Sequence, residues 1–361
     1  MADLTPIPWH TAARTTLGAL HARGAHALLL HGPAGTGKWE LAMSIARDLL
    51  CERVSGGAGA CGACPSCVLI AAGNHPDLRV VVPEAWASRR PGAALEEQSD
   101  SELVVETSSG KSKPSREIKI DQVRELVSLT SVSAHRGGAR VIVLAPAESL
   151  NLPAANALLK GLEEPPPATV FVLISDQIDR CLPTIVSRCA LVRIAIPPRA
   201  AALQWLRAQG LGADEASQRL IEAGGAPLAA LRVEDETLPA EMRGTLLQLL
   251  RRGPDLEAAE VASEVPRTVP IGAAVALFQR WGWDYFSFRM GCPLRYHPAD
   301  AASFEALSRH WSLRAASDWI DRLNDLRALS DHPLNARAAI EGLLLAYIGS
   351  IASRREKTLE S

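Results

Sequence analysis

The stretch that most constrains this chain is His31-Gly32-Pro33-Ala34-Gly35-Thr36-Gly37-Lys38-Trp39. An apolar run, Ala25-His26-Ala27-Leu28-Leu29-Leu30, precedes it and reads as a buried strand. Glu40 to Arg47 follows with apolar residues at helical spacing. Strand, glycine-rich loop and helix form the context in which G-x-x-x-x-G-K-[S/T] cradles phosphate. The glycines turn backbone N–H groups inward, the helix N-terminus adds a positive dipole end, and the lysine reaches the outer phosphates. Gly32, Gly35, Gly37 and Lys38 fit a phosphate-binding loop. Trp39 does not, because it stands where a Ser or Thr hydroxyl would meet Mg²⁺.

A loop of this kind needs a sheet around it, and the sequence supplies one. Asp77–Val82, Ala139–Leu144, Thr169–Ile174 and Leu191–Ile194 are further strand candidates, each a continuous apolar run. Helical patterns fall between them, at Thr11–Ala22, Lys38–Leu50, Asp121–Val132 and Pro153–Leu162. Continuous rather than alternating apolar strands mean burial on both faces, hence a parallel sheet with helices on both sides. Such a sheet binds nucleotide at the carboxyl ends of its strands. Residues 84–117 are rich in Ser, Glu, Gly and Lys and read as a flexible insertion. Its Gly110-Lys111-Ser112 mimics the end of a phosphate loop without the preceding strand. From Arg199 onward the pattern is helical only, with Pro254–Val265 as a bridging segment. Trp205, Trp281, Trp283, Trp311 and Trp319 fall within these helices and read as core or interface anchors.

At 361 residues and 47% hydrophobic content, the chain is long enough for two or three domains. A net charge of −2 gives no global field for nucleic acid, so any such contact needs a local patch. With no apolar run of membrane length and no signal-peptide pattern, a soluble cytoplasmic protein is expected.

Four of the seven cysteines crowd together: Cys51, Cys61, Cys64 and Cys67. Without a secretory signal, the cluster points to metal rather than disulfides. Four thiolates suit Zn²⁺ in a closed tetrahedron, a structural site. C-x₂-C-x₂-C also occurs in iron–sulfur proteins, and unmetallated thiols are a third option. The glycine-rich segment 51–67 is too small for its own core, so metal would supply its folding energy.

Two further positions bear on hydrolysis. The 141–144 strand runs into Ala145-Pro146-Ala147-Glu148, where a phosphate-loop NTPase carries acidic residues for Mg²⁺ and the attacking water. The metal-holding Asp is missing, and Glu148 lies past the strand end. Trp39 and this segment are independent losses of Mg²⁺ handling. Ser175, at the end of the 169–174 strand, reads as a capping residue.

Asn156-Ala157-Leu158-Leu159-Lys160-Gly161-Leu162-Glu163-Glu164-Pro165-Pro166 resembles the N-A-L-L-K-x-L-E-E-P-P segment of AAA+ clamp-loader subunits. Thr184-Ile185-Val186-Ser187-Arg188-Cys189 resembles their S-R-C motif. The cysteine module after the loop helix, with His75-Pro76-Asp77 beyond it, is similar to the zinc module of bacterial members. Asn335-Ala336-Arg337 is similar to the start of their last collar helix. The resemblance is dense over 24–82 and 118–195 and looser beyond.

This resemblance implies an α/β AAA+ P-loop domain over 1–196, carrying the zinc module (51–67) and the insertion (84–117). A small helical lid over 197–265 and an all-helical C-terminal collar over 266–361 would follow. It implies that Arg188 is an arginine finger, reaching across an interface to a neighbour's ATP. The family's motor subunits carry a sensing arginine in G-S-x-R-x-A-L; here the segment is Gly225-Ala226-Pro227-Leu228-Ala229-Ala230-Leu231, with Leu228 at that position. With this third loss, the resemblance is to a non-hydrolysing subunit, with ATP/Mg²⁺ not turned over by this chain. Its implied partners are the gamma/tau ATPase and delta subunits in a hetero-pentamer, the sliding clamp and primed DNA, with no membrane. The alternatives are an active ATPase motor subunit and a metal-dependent nucleic-acid-binding module unrelated to a clamp.

Overall fold

The computed structural model describes residues 7–53, 59–87, 114–130, 139–232, 238–329 and 335–352. Most of the insertion (88–113), including Gly110-Lys111-Ser112, lies outside the described residues. The chain divides into two compact units, residues 1–202 and 203–361.

The first unit runs α1 (Thr11–Ala22), β1 (Ala27–His31), α2 (Lys38–Leu50), α3 (Pro65–Ala71), β2 (Leu78–Val81), α4 (Glu84–Ala87), α5 (Ile120–Thr130), β3 (Arg140–Leu144), α6 (Leu152–Glu163), β4 (Thr169–Ser175), α7 (Pro183–Val186) and β5 (Ala190–Arg193). The five strands form one sheet, ordered β2-β3-β4-β1-β5, with every pair parallel. Side chains alternate across a strand, so each apolar run feeds two cores. Leu28, Leu30, Val141, Val143, Val170 and Val172 pack with Leu17, Leu41 and Ile45 of α1 and α2. Leu29, Ile142, Leu144, Phe171 and Leu173 pack with Val123 of α5 and Leu158 and Leu162 of α6. This is the sheet covered on both faces that the continuous runs require.

Local signals set the helices that matter below. Asn151 caps α6 by accepting from the Ala154 N–H at 3.0 Å, with proline in the first turn. Gly37, in the left-handed region at φ 89°, stands immediately before α2.

Helix α8 (Arg199–Ala208) spans the division between the units. The second unit holds α9 (Ala213–Glu222), α10 (Pro227–Leu231), α11 (Ala240–Arg252), α12 (Ala258–Glu264), α13 (Ile271–Arg289), α14 (Ala301–Ser308), α15 (Leu313–Leu329) and α16 (Ala336–Ala352). Its described residues contain no strand. The bridging segment expected over 254–265 contains α12, opened by a capping box between Glu257 and Glu260. Leu246, Leu250 and Val261 share one core with Phe278, Trp281, Trp311, Trp319 and Tyr347. Residues 238–265 therefore pack with the C-terminal helices. Their indoles are satisfied as burial demands: Trp319 Nε1 donates to the Leu343 carbonyl at 2.9 Å and Trp311 Nε1 to Ser350 Oγ at 2.9 Å. Trp283 differs, with 55% of its surface exposed. Asp284 is fully buried. Burial pushes its carboxyl up, but the His297 side chain and the backbone N–H groups of 295–297 outweigh that, and the net shift is downward. No described helix is long and apolar enough to cross a membrane.

Candidate functional site

The phosphate loop sits where β1 leaves the sheet between β4 and β5. This is where the strand order reverses, the place such sheets reserve for ligands. Register carries His31 beside Ser175 on one side and Arg193 on the other. Gly32 follows at once, and its N–H donates to the Ser175 carbonyl at 3.3 Å. A Cβ on Gly32 would lie 2.1 Å from the Ile194 carbonyl oxygen, and its φ is 148°. Gly35 and Gly37 also take positive φ, at 76° and 89°. All three glycines are used for conformations or approaches that other residues resist.

Within the loop, Lys38 turns inward. Its side chain is 3% exposed, and Nζ donates to the Gly32 and Pro33 carbonyls, each at 2.7 Å. Asp176 Oδ1 lies 2.6 Å away and completes the set. An ammonium has three N–H donors, so the lysine's capacity is spent on its own chain. Asp176 comes from the turn after β4. Glu148 braces that turn, its Oε1 accepting from the N–H groups of Asp176 and Gln177 at 3.0 and 3.1 Å. The other oxygen of Glu148 is buried without a hydrogen-bond partner. Ser175 Oγ accepts from the Gln177 N–H at 3.1 Å, in keeping with a cap.

A lid of aromatic residues closes the far side of the loop. Trp9 Nε1 donates to the Thr36 carbonyl at 2.9 Å, and His10 Nε2 lies 2.9 Å from the same oxygen. His10 is buried, which pushes its pKa down; the Thr36 carbonyl opposes that and Arg14 adds to it. Burial, Arg193 and Lys38 likewise push His31 down. Trp39 is half-buried and packs against the core that holds α1 and α2. No hydroxyl therefore stands at the Mg²⁺ position. The positive-φ glycines and Lys38 of a phosphate cradle are thus present, with an indole at position 39 where such loops carry a hydroxyl.

The cysteines converge. The Sγ atoms of Cys51, Cys61, Cys64 and Cys67 all lie within 4.8 Å of one another, and Cys51 and Cys64 are 3.9 Å apart. Tetrahedral Zn–S bonds of about 2.3 Å place sulfurs about 3.8 Å apart, so the residues fit the ion. Backbone N–H groups of Cys61 and Cys64 point at the Cys51 and Cys61 sulfurs, both at 3.3 Å. The Cys67 N–H holds the Cys64 thiol down to about 6, whereas burial, followed by Cys64 alongside, pushes Cys67 up to about 12. A cation at the centre would relieve that opposition by favouring every thiolate.

A polar relay ties this module to the sheet. Asp77 N–H donates to His75 Nδ1 at 3.1 Å, which leaves the proton on Nε2 to donate to Ser66 Oγ at 3.1 Å. Ser66 Oγ in turn donates to Glu52 Oε1 at 2.7 Å. Ser66 and His75 are buried, and the relay joins the ends of α2 and α3 to the approach to β2.

Arg188 belongs to neither cluster. It follows α7, and its partners come from α6 and α7. Nε and Nη2 both contact Glu163 Oε1, and Nη1 donates to the Thr184 carbonyl at 3.1 Å. Its side chain remains 35% exposed. Leu228, expected at the sensing-arginine position, is buried in α10. Asp176, His10 and Ser66 are site residues that motif reading passes over, and Glu163 stands in a quoted motif without a role of its own.

A family model described as DNA polymerase III, delta subunit, matches residues 17–198. The chain is 40% identical over 286 residues to DNA polymerase III subunit delta' of Pseudomonas aeruginosa, covering 78% of this chain and 76% of that protein. Against DNA polymerase III subunit delta' of Escherichia coli it is 30% identical over 338 residues, covering 93% and 84%. A solved DNA polymerase III gamma subunit-related protein from Thermotoga maritima aligns with a TM-score of 0.42 at 17% identity, covering 93% of this chain and 98% of the other. By its matched α/β domain and by these two relatives, the chain belongs to the family of DNA polymerase III delta' subunits.

Proposed function

We propose that this chain is a non-hydrolysing subunit of a clamp loader, helping to place a sliding clamp on primed DNA for replication. Its partners would be gamma/tau ATPase and delta subunits in the cytoplasm. The observation that carries this reading is the state of Lys38. All three of its donors are satisfied by Gly32, Pro33 and Asp176, while Trp39 supplies no hydroxyl to a metal. The chain's own phosphate loop is then a folded relic of the nucleotide site, able at most to hold an anion on its backbone N–H groups.

Arg188 is the group this subunit contributes to chemistry. A guanidinium has fixed charge and a planar fork matched to phosphate oxygens. Presented to a neighbour's ATP, it would offset charge that develops on the transferring phosphoryl group, an effect worth about 10³–10⁵ in rate where measured for trans-acting arginines. Cys51, Cys61, Cys64 and Cys67 would hold one structural Zn²⁺, which supplies folding energy to the module. The AAA+ domain is assigned to 1–196 and a small lid follows it. The shared core of residues 238–351 supports a lid that ends before Leu238, with the collar taking the rest.

The test is reconstitution with the ATPase subunits. Arg188→Ala is expected to lower clamp-stimulated hydrolysis without preventing assembly, and the isolated chain should show no Mg-ATP turnover. Unchanged hydrolysis in the Arg188→Ala complex would reject the finger. Turnover by the isolated chain, abolished by Lys38→Ala, would reject the non-hydrolysing assignment. Metal analysis should give one zinc per chain; a visible absorption band would instead indicate an iron–sulfur cluster.

A further inference from the structure

The last turn of α6 carries an acidic residue where helix physics disfavours one. Glu163 closes α6 and Glu164 follows it. The C-terminal end of a helix presents unpaired carbonyls and the negative end of its dipole, which favour cations and disfavour carboxylates. Glu163 is about half exposed, so no buried partner requires it there. What it does touch is Arg188.

The contact is specific in its geometry. One oxygen of Glu163, Oε1, receives both Nε and Nη2 of Arg188, while Nη1 is held by the Thr184 carbonyl at 3.1 Å. Ser187 Oγ lies further off, at 3.4 Å from Nη1. The guanidinium is thus gripped along its side edge and at Nη1. Nη2 makes one contact with Glu163, and its second N–H lies outside these bonds. The backbone at Arg188 is fixed as well, its N–H donating to the Ile185 carbonyl at 3.1 Å. An arginine side chain carries large rotamer freedom, and a planar fork held in advance loses less of it when it meets phosphate.

We infer that Glu163 is a positioning residue for the arginine finger: its carboxylate holds the Nε–Nη2 edge of Arg188 so that the outer N–H groups are preset for a neighbouring subunit's phosphate. The inference rests on the proposed finger role of Arg188. Glu163 does not touch the nucleotide; it acts through Arg188. The carboxylate restricts the guanidinium without consuming all its donors, so engagement with phosphate does not require the pair to break. Because the pair is partly solvated, its grip weakens as salt rises, and the preset orientation weakens with it.

The test uses the assembled complex with its ATPase subunits. Glu163→Gln and Glu163→Ala should each lower kcat for clamp-stimulated ATP hydrolysis by about threefold to tenfold, the range expected when a reacting group loses part of its preorganisation. KM for ATP and the amount of complex assembled should not change. Glu163→Asp, which keeps the charge on a shorter arm, should recover part of the rate. The Arg188→Ala/Glu163→Ala double variant should match Arg188→Ala alone, since a residue acting through Arg188 has nothing left to position. Thermal melting should be level or slightly raised in Glu163→Gln, because the substitution removes a charge that opposes the helix dipole. A lowered melting temperature with a proportional loss of assembly would make Glu163 structural and overturn the inference. Wild-type kcat in both Glu163 variants, in a complex where Arg188→Ala has lost its stimulation, would overturn the inference while leaving the finger intact. A raised kcat would also overturn it, since the carboxylate would then be holding the arginine away. No effect of Arg188→Ala itself would remove the proposed finger role first, and the positioning role with it.

Discussion

Replacing Asp176 by Asn tests whether the phosphate loop is held shut by its own lysine. The substitution keeps the shape of the side chain and removes one charge. Lys38 is 3% exposed, so its ammonium would keep two carbonyl partners at 2.7 Å and lose its counter-charge. Removing one member of a fully buried ion pair costs about 3–5 kcal/mol. Asp176 is 32% exposed, and water reaching that side screens part of the loss. The expected cost is therefore about 2 kcal/mol, between the buried and exposed limits. For a domain near 200 residues this lowers the melting temperature by about 4–8 °C.

The control is Lys38→Met, alone and combined with Asp176→Asn. Methionine keeps most of the buried stem but strands the Gly32 and Pro33 carbonyls, a cost of about 1–3 kcal/mol. If the pair is coupled, the double variant costs less than the sum of the two singles by about 1 kcal/mol or more. Because the chain holds two compact units, melting alone averages over them. Amide exchange in peptides spanning residues 31–41 reads the loop directly and should accelerate in Asp176→Asn. Additive singles, with unchanged exchange in that peptide, would refute the coupling and leave Lys38 held by backbone carbonyls alone.

Three further outcomes follow from the geometry. His10 has its pKa pushed down by burial, so the unfolded chain binds a proton near pH 6.5 before the folded one does; stability contributed by neutral His10 is lost as pH falls below about 6.5, and His10→Gln should shrink the change in melting temperature between pH 7.5 and pH 5.5. Gly32→Ala drives a Cβ to 2.1 Å from the Ile194 carbonyl and should cost about 3 kcal/mol, whereas Gly18→Ala, in α1 with nothing within 4 Å, should stabilise by about 0.5–1 kcal/mol in denaturant titrations. Ser66→Ala removes the hydroxyl that links Glu52 to buried His75, and zinc should pass to a chromogenic chelator about tenfold faster than from wild type.

What the sequence shows and what it hides divide along a physical line. The strands were legible because a parallel sheet buries both faces, so each is an unbroken apolar run such as Val141–Leu144. The convergence of the four cysteines was legible because they fall at the short spacing of a four-thiolate site, and the loop because its glycines serve the backbone. Helix α12 was missed because it is only seven residues long and follows Pro254, although Glu257 and Glu260 carried its capping signal. The partners of the key cations were hidden for a different reason. Asp176 meets Lys38 because β4 pairs with β1 in a register that sets Ser175 beside His31. Trp9 and His10 reach Thr36 from a turn ahead of α1, and Glu163 reaches Arg188 across the gap between α6 and α7. Strand order and register are long-range outcomes, and no spacing rule within a segment contains them. The same two contacts separate the chain's own loop from its exposed arginine. Lys38 is buried and its three donors meet Gly32, Pro33 and Asp176 of its own chain. Arg188 is held at its inner edge and remains a third exposed, so an incoming phosphate would add bonds to it without first displacing Glu163.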